Sequence, residues 1–479
     1  MPPFMVSAPG KVIVYGEHAV VHGKAAIAAS VNLRSYLHVT FLHKTDRTVS
    51  LRFPDISLEH TWNIDDLPWA AFAAPAKKKY YYDLVTSLDP DLVDAIEPHV
   101  LSVSPKVPEH VRKIHQSSAK AFLYLFLSLG SQRSPPCVYT LRSTIPIGAG
   151  LGSSASISTC LACALLLQIR ALSGPHDDQP SEECALQVER INRWAFVGEL
   201  CIHGNPSGVD NTVSCGGKAA LFQRKDYSKP PSVQRLGDFP QLPLLLVNTK
   251  QSRSTAVEVA KVGTLKKAHP KIADHILSAI NDITESVHAL ISQEGFDKDD
   301  PENLRQLGEL AAINHGLLVS LGVSHPKLER IRALIDHAGL GWTKLTGAGG
   351  GGCAIVILKP LEDIRNGHHG PDVKEQNIKS AAKNPALVQL ERQLEAEGFE
   401  KFETTLAGDG VGVLWPAVLH NASGEEGGEE IDQEKFLKAV GNDGIEKLVG
   451  VNAKSATSNM NGLSNGHTES REGWKFWRF

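Results

Sequence analysis

No stretch of this chain holds the roughly 20 consecutive apolar residues that a membrane-crossing helix needs, so a spanning segment has no candidate. The first residues lack a basic region followed by an apolar core and do not read as a secretory signal. The last three, Trp-Arg-Phe, are no peroxisomal address. Excess charge is missing as well: 49 Lys and Arg against 53 Asp and Glu leave a formal net charge of −4. That offers no whole-molecule attraction for nucleic acid or acidic membranes, and neither is expected as a partner. Any phosphate-handling site must then be a local concentration of donors. Cysteine is sparse and odd in number, seven in all. Cys160 and Cys163 form a CxxC, but no second pair or ordered His partner follows, and both lie in an apolar run. They read as buried helix residues rather than metal ligands. The pattern suits a reducing compartment, and a cytoplasmic location is expected.

What is present is the composition of an ordinary globular protein, 42% hydrophobic and 21% charged over 479 residues. That length exceeds one compact core, so two or more domains are expected. Strand patterns fall at 11–15, 31–41, 137–143, 219–224, 242–248, 354–358 and 410–415. Helical patterns fall at 109–129, 153–172, 184–202, 254–292, 301–321 and 326–339. In 31–41 the apolar residues alternate with Asn32, Arg34, His38 and Thr40, which predicts a half-buried strand. Pro230, Pro231 and Pro240 mark a connection, dividing a domain 1–238 from a domain 239–450. Residues 362–383 are polar and read as a surface insertion. Residues 451–479 read as a disordered tail, since 452–472 are poor in large apolar residues. Its end, Trp474 to Phe479, is either a peptide-like binding element or simply unstructured. Strands and helices mix in both halves, which makes the class α+β.

Two glycine-rich segments stand out. Pro146-Ile-Gly-Ala-Gly-Leu-Gly-Ser-Ser-Ala155 lies between a strand and a helix. Its glycines permit a tight turn with N–H groups pointing inward, and the helix start adds unpaired N–H groups and a positive dipole end. Together these make a cradle for phosphate oxygens. Ser153 or Ser154 can cap the helix, and one hydroxyl can reach Mg²⁺ or a phosphate. The bland alternative is a strand-to-helix turn with a serine cap. The segment is not a Walker A loop, since no Gly-Lys-Ser/Thr follows. It is a poor dinucleotide fingerprint, since Arg170 stands where a ribose-binding acid would fall. The second run, Thr346-Gly-Ala-Gly-Gly-Gly-Gly352, leads into a strand, which excludes a Rossmann turn. It either admits close approach of another surface or is a flexible hairpin loop.

Acid, base and metal candidates follow. Glu199 ends one helical segment, and Asp210 lies 11 residues on, in His203-Gly-Asn-Pro-Ser-Gly-Val-Asp-Asn211. Asn205-Pro206 reads as a helix start. One carboxylate can hold Mg²⁺ while the other accepts the proton of an attacking alcohol. Lys11, at the start of a strand, can neutralise developing phosphate charge. Taken singly, each of these is also a common surface or capping residue.

Together they carry a resemblance. Ala8-Pro-Gly-Lys-Val-Ile-Val-Tyr-Gly-Glu-His-Ala-Val-Val-His-Gly23 resembles the N-terminal signature of the mevalonate kinase family. The loop at 146–155 and Lys344-Leu-Thr-Gly-Ala-Gly-Gly-Gly-Gly-Cys353 resemble the phosphate-loop and third motifs of the wider superfamily. That superfamily holds galactokinases, homoserine kinases, mevalonate kinases and phosphomevalonate kinases. The 203–211 segment is similar to the mevalonate kinase form of the catalytic segment. The resemblance covers about residues 5–360 and implies a ribosomal-S5-like N-terminal domain, a ferredoxin-like C-terminal domain and a site between them. It implies Asp210 as base, Lys11 as transition-state stabiliser, and Ser154 and Glu199 on Mg²⁺. Gly148, Ala149, Gly150, Leu151, Gly152 and Ser153 would cradle ATP phosphates, with Trp62 near the adenine. Glu17, His18, Arg253 and Thr255 would line the mevalonate site. A homodimer and feedback inhibition by isoprenyl diphosphates are also implied. The rivals are another kinase of the superfamily and a catalytically silent relative serving as sensor or scaffold.

Overall fold

The computed structural model describes residues 2–226, 231–297, 300–359, 385–419, 428–451 and 471–478. Its strands are β1 (Phe4–Tyr15), β2 (Ala25–Phe41), β3 (Thr48–Phe53), β4 (Leu58–Asn63), β5 (Cys137–Ser143), β6 (Ala219–Gln223), β7 (Ser232–Leu236), β8 (Leu242–Asn248), β9 (Gly341–Leu345), β10 (Cys353–Leu358), β11 (Glu400–Leu406) and β12 (Gly412–Leu414). The helices that matter here are α1 (Trp69–Ala73), α2 (Pro90–Leu101), α3 (Glu109–Leu129), α4 (Ser153–Gln168), α5 (Ser181–His203), α6 (Val209–Gly216), α7 (Thr255–Ala268), α8 (Pro270–Ile291), α9 (Pro301–Ser320) and α10 (Pro326–Ala338). The pairing is antiparallel except for β3 against β5. A mixed α+β fold with segregated helices is what such a sheet permits.

One sheet path, β12-β1-β2-β11-β8-β10-β9, runs through both halves. The halves meet where Leu406 of β11 pairs with Val31 of β2. Helices α3, α4 and α5 cover one face of the first half and bury the largest apolar cluster, including Phe122, Phe126, Tyr139, Leu161 and Trp194. Cys160 and Cys163 lie inside it, fully buried in α4. In the second half α8, α9 and α10 pack on β8, β9 and β10, where the uninterrupted apolar run Leu244 to Val247 is buried on both faces.

The sequence-based division at residue 238 needs correction. The chain returns to the first half after about residue 410. β12 pairs with β1, and Leu414, Ile431, Phe436, Ile445 and Val449 pack with Met5 and Tyr36. The expected tail is also corrected where it is described. Lys475 and Phe476 pair with Val413 and Gly412. Trp474 and Trp477 are buried, and their indole N–H groups donate to the Val449 carbonyl and Gln187 Oε1. Burial of two indole rings with their N–H groups satisfied favours an ordered strand here. This added layer explains why β2 is not half-buried as its alternation predicts. Arg34 and His38 are each 1% exposed, and Arg34 donates to Ser7 Oγ and to the Asp409 and Gly410 carbonyls. The expected insertion 362–383 and residues 452–470 lie outside the described residues.

Candidate active site

The site is assembled on β1. Its backbone meets the first glycine loop directly, with Lys11 N–H donating to the Leu151 carbonyl at 2.8 Å. A Cβ on Gly10 would fall 2.8 Å from that carbonyl, and one on Gly152 would fall 2.9 Å from Lys11 Cγ. Both positions therefore require glycine, and the loop is fastened to the strand. Gly148, Gly150 and Gly152 all have φ between 73° and 77°. The expected serine cap is corrected: the N-cap of α4 is Gly152, and no side chain accepts from its first N–H groups. N–H groups at a helix start that has no capping side chain are able to receive an anion's oxygens.

Three helices bring the side chains to this loop. Helices α4 and α5 approach closely because residue 198 is glycine; a Cβ there would lie 2.7 Å from Ser158 Oγ. As a result Ser154 Oγ donates to Glu199 Oε2 at 3.3 Å. Helix α6 begins at Val209, not at the expected Pro206, because Gly208 takes a left-handed conformation as its N-cap. Ser214 Oγ ties α6 to the Pro9 carbonyl, and Asn211 Nδ2 ties it to Asn192 Oδ1 of α5. Asp210, in the first turn, thus reaches Lys11, with Oδ1 at 3.1 Å from Nζ. Lys11 is 8% exposed while the Asp210 side chain keeps 34% of its surface open.

The two carboxylates have unlike environments. Burial, then the nearby charge of Asp210, pushes Glu199 up to about 7. Its Oε1 is buried with no hydrogen-bond partner among the described residues. An orphaned carboxylate oxygen beside a serine hydroxyl is a fitting place for a hard cation. Among the described residues no cluster of three His, Cys, Asp or Glu side chains is able to hold a metal by itself.

The remaining candidates divide. Arg253 bridges the two glycine runs, donating to the Ala149 and Thr346 carbonyls at 3.2 Å each. His18 Nε2 meets the Ala348 carbonyl of the second run at 2.9 Å, and its Nδ1 is buried without a partner. Burial holds the His18 imidazole below its usual range. Glu17 is a correction: it is fully buried, paired with Lys344 and accepting from Asn314 Nδ2. It stands behind the site as a support and does not line an open pocket. Thr255 is exposed at the start of α7. Trp62 is the second correction. Its ring stacks on Phe122, its N–H donates to the His99 carbonyl and it is 4% exposed, so it belongs to the core. The sequence reading did not single out His203, whose Nε2 lies 3.1 Å from Ser154 Oγ. Its spacing of four from Glu199 on one helix was the available signal.

Comparison with known proteins agrees with this architecture. The model for the GHMP kinases N terminal domain matches residues 116–218, and that for GHMP kinases C terminal matches 292–369. The mevalonate kinase of Gibberella zeae is 64% identical over all of this chain and 88% of its own length. That of Aspergillus fumigatus is 63% identical, over 82% of its length. This chain belongs to the mevalonate kinase family. The human mevalonate kinase is 34% identical over 85% of the chain. In fold, the chain is similar to the crystal structure of L. major mevalonate kinase in complex with R-mevalonate, with TM-score 0.55 over 84% of this chain and 22% identity. The mevalonate kinase fold thus accounts for both halves of the sheet.

Proposed function

We propose that Asp210 is the base and Lys11 the charge-stabilising group in the reaction of this family, the ATP-dependent phosphorylation of mevalonate. The chain is an enzyme, a kinase using ATP and mevalonate; the alternative of a catalytically silent relative finds no support. The observation that carries the assignment of roles is the double attachment of Lys11. Its backbone holds the phosphate loop and its side chain holds Asp210, so acid and cradle share one anchor.

In this reading the primary hydroxyl of mevalonate gives its proton to an Asp210 carboxylate oxygen as its own oxygen bonds to the γ-phosphorus. The bond from that phosphorus to the β–γ bridging oxygen breaks, and the electron pair leaves with ADP. The N–H groups of the 148–153 loop meet the charge that develops on the phosphates, and Lys11 meets that on the transferring group. Ser154 Oγ and Glu199 would hold Mg²⁺, which would supply neutralisation of phosphate charge. His18, Arg253 and Thr255 are assigned to the mevalonate side, with Glu17 and Lys344 fixing the wall that carries His18. Isoprenyl diphosphates present a diphosphate to the same donors, which supports competition at the cradle. The homodimer rests on the family resemblance alone. No described helix is long and apolar enough to cross a membrane, and all seven cysteines are free and buried, which favours a reducing, cytoplasmic setting.

The test is coupled ADP release with Mg²⁺-ATP against mevalonate, phosphomevalonate, galactose and homoserine. Mevalonate should be the best substrate. Asp210→Asn should lower kcat by about 10²- to 10⁴-fold with ATP still bound. An Asp210→Asn enzyme of normal kcat rejects the base.

A further inference from the structure

We infer that His203 is a phosphate-binding side chain of the nucleotide site, held in reserve by Ser154 until the site fills. This rests on the reading of the 148–154 loop as the ATP cradle. His203 ends α5, and its side chain is 53% exposed, so packing does not hold it in place. A histidine in the last turn of a helix commonly serves the terminal carbonyls, but this ring does not. Its described hydrogen bond goes sideways to Ser154 Oγ at 3.1 Å, while Glu199 Oε2, at 3.9 Å, is out of hydrogen-bond range.

The serine hydroxyl has one hydrogen, and that hydrogen points at Glu199. In the tautomer that carries its hydrogen on Nε2, His203 donates to Ser154 Oγ. Ser154 Oγ is also an atom that would hold a cation. A phosphate that enters beside the uncapped start of α4 competes with Ser154 Oγ for that N–H, with or without a cation. The acceptor then within reach is a non-bridging phosphate oxygen.

The experiment is calorimetric binding of ATP and ADP, each with Mg²⁺ and in EDTA, to the wild-type protein, His203→Ala and His203→Gln, with mevalonate KM measured beside them. The amide nitrogen of Gln sits near the Nε2 position and restores a donor. His203→Ala should weaken nucleotide binding by about tenfold in both conditions. His203→Gln should stay within about threefold of wild type, and mevalonate KM should not move. Unchanged nucleotide affinity in His203→Ala overturns the inference. So does a loss that vanishes in EDTA, because His203 would then act only through Ser154 and the cation. So does a loss in His203→Ala that Gln does not repair. A wild-type protein that binds no nucleotide sinks the cradle itself, and this inference with it, which separates the two failures.

Discussion

The two glycine runs look alike in composition and do opposite things. At 146–152 the first glycine is open, since a Cβ on Gly148 would meet nothing within 4 Å, while Gly150 lies against Arg253 and Gly152 against Lys11, and the loop leads into an uncapped helix start. At 346–352 nearly every glycine is pressed against a neighbour. A Cβ would lie 2.0 Å from the Val323 carbonyl at Gly349, 2.4 Å from Glu258 at Gly350 and 2.7 Å from Arg253 at Gly352. The first run keeps open space at Gly148, while the second is given over to close packing of the β9–β10 hairpin against α7 and the segment between α9 and α10. Arg253 touches both, so the run that packs also sets the position of the run that binds. Sequence reading left close approach and a hairpin loop as alternatives for the second run. Close approach is what is observed: the run joins β9 to β10 and is packed tight rather than open as a flexible hairpin loop.

The contrast is most sharply tested at Gly349. Gly349→Ala adds a methyl against backbone at a φ of +75°, and overpacking plus left-handed strain should cost on the order of 3 kcal/mol or more. Denaturant titration reads this directly; a midpoint matching wild type would mean that the second run is not packed as described. Next in size is a pH effect confined to the second run's support. His315 Nδ1 accepts from the Leu345 N–H, just before that run, and its Nε2 meets Glu329. Burial holds this imidazole below its usual range. The stability it contributes is therefore complete above the unfolded value near 6.5 and is lost as pH falls below it. A loss on the order of 1–3 kcal/mol is expected between pH 7 and 5. It should be flattened in His315→Asn, and an unchanged slope in that variant would exclude His315 as the source. The smallest stability effect belongs to Gly148→Ala, about 1 kcal/mol of backbone strain. Yet its methyl enters the cradle and should raise KM for ATP by about tenfold. If stability falls and KM does not, the first run is structural after all.

Much of the molecule was legible where one local rule decided the outcome. The helix at 109–129 and the strands at 137–143 and 242–248 follow from period and burial alone, and the observed bounds match. The linear order of Lys11, the glycine loop, Glu199 and Asp210 was likewise readable, since each lies in a motif with its own chemistry. The errors share one cause. Trp62, Glu17 and the strand Lys475–Phe476 were misread because their partners lie far away in the chain. Glu17 and Lys344 are separated by 327 positions, and no spacing rule reaches that far. The helix start at Asp210 was misplaced by three residues because a glycine overrode the proline cue nearby.

The amino-acid sequence on its own determined the chemical inventory: a run of glycines able to turn and expose N–H groups, one lysine, two carboxylates and a serine, in an order that permits phosphoryl transfer. Only the tertiary structure decided which of them meet. It set Lys11 against Asp210, left Glu199 Oε1 without a partner and moved Trp62 into the core. The physical reason is that residue identity fixes what a group can donate, accept or hold, while distance and burial fix whether it does so. Those are properties of β1, α4, α5 and α6 packed together, not of any one of them.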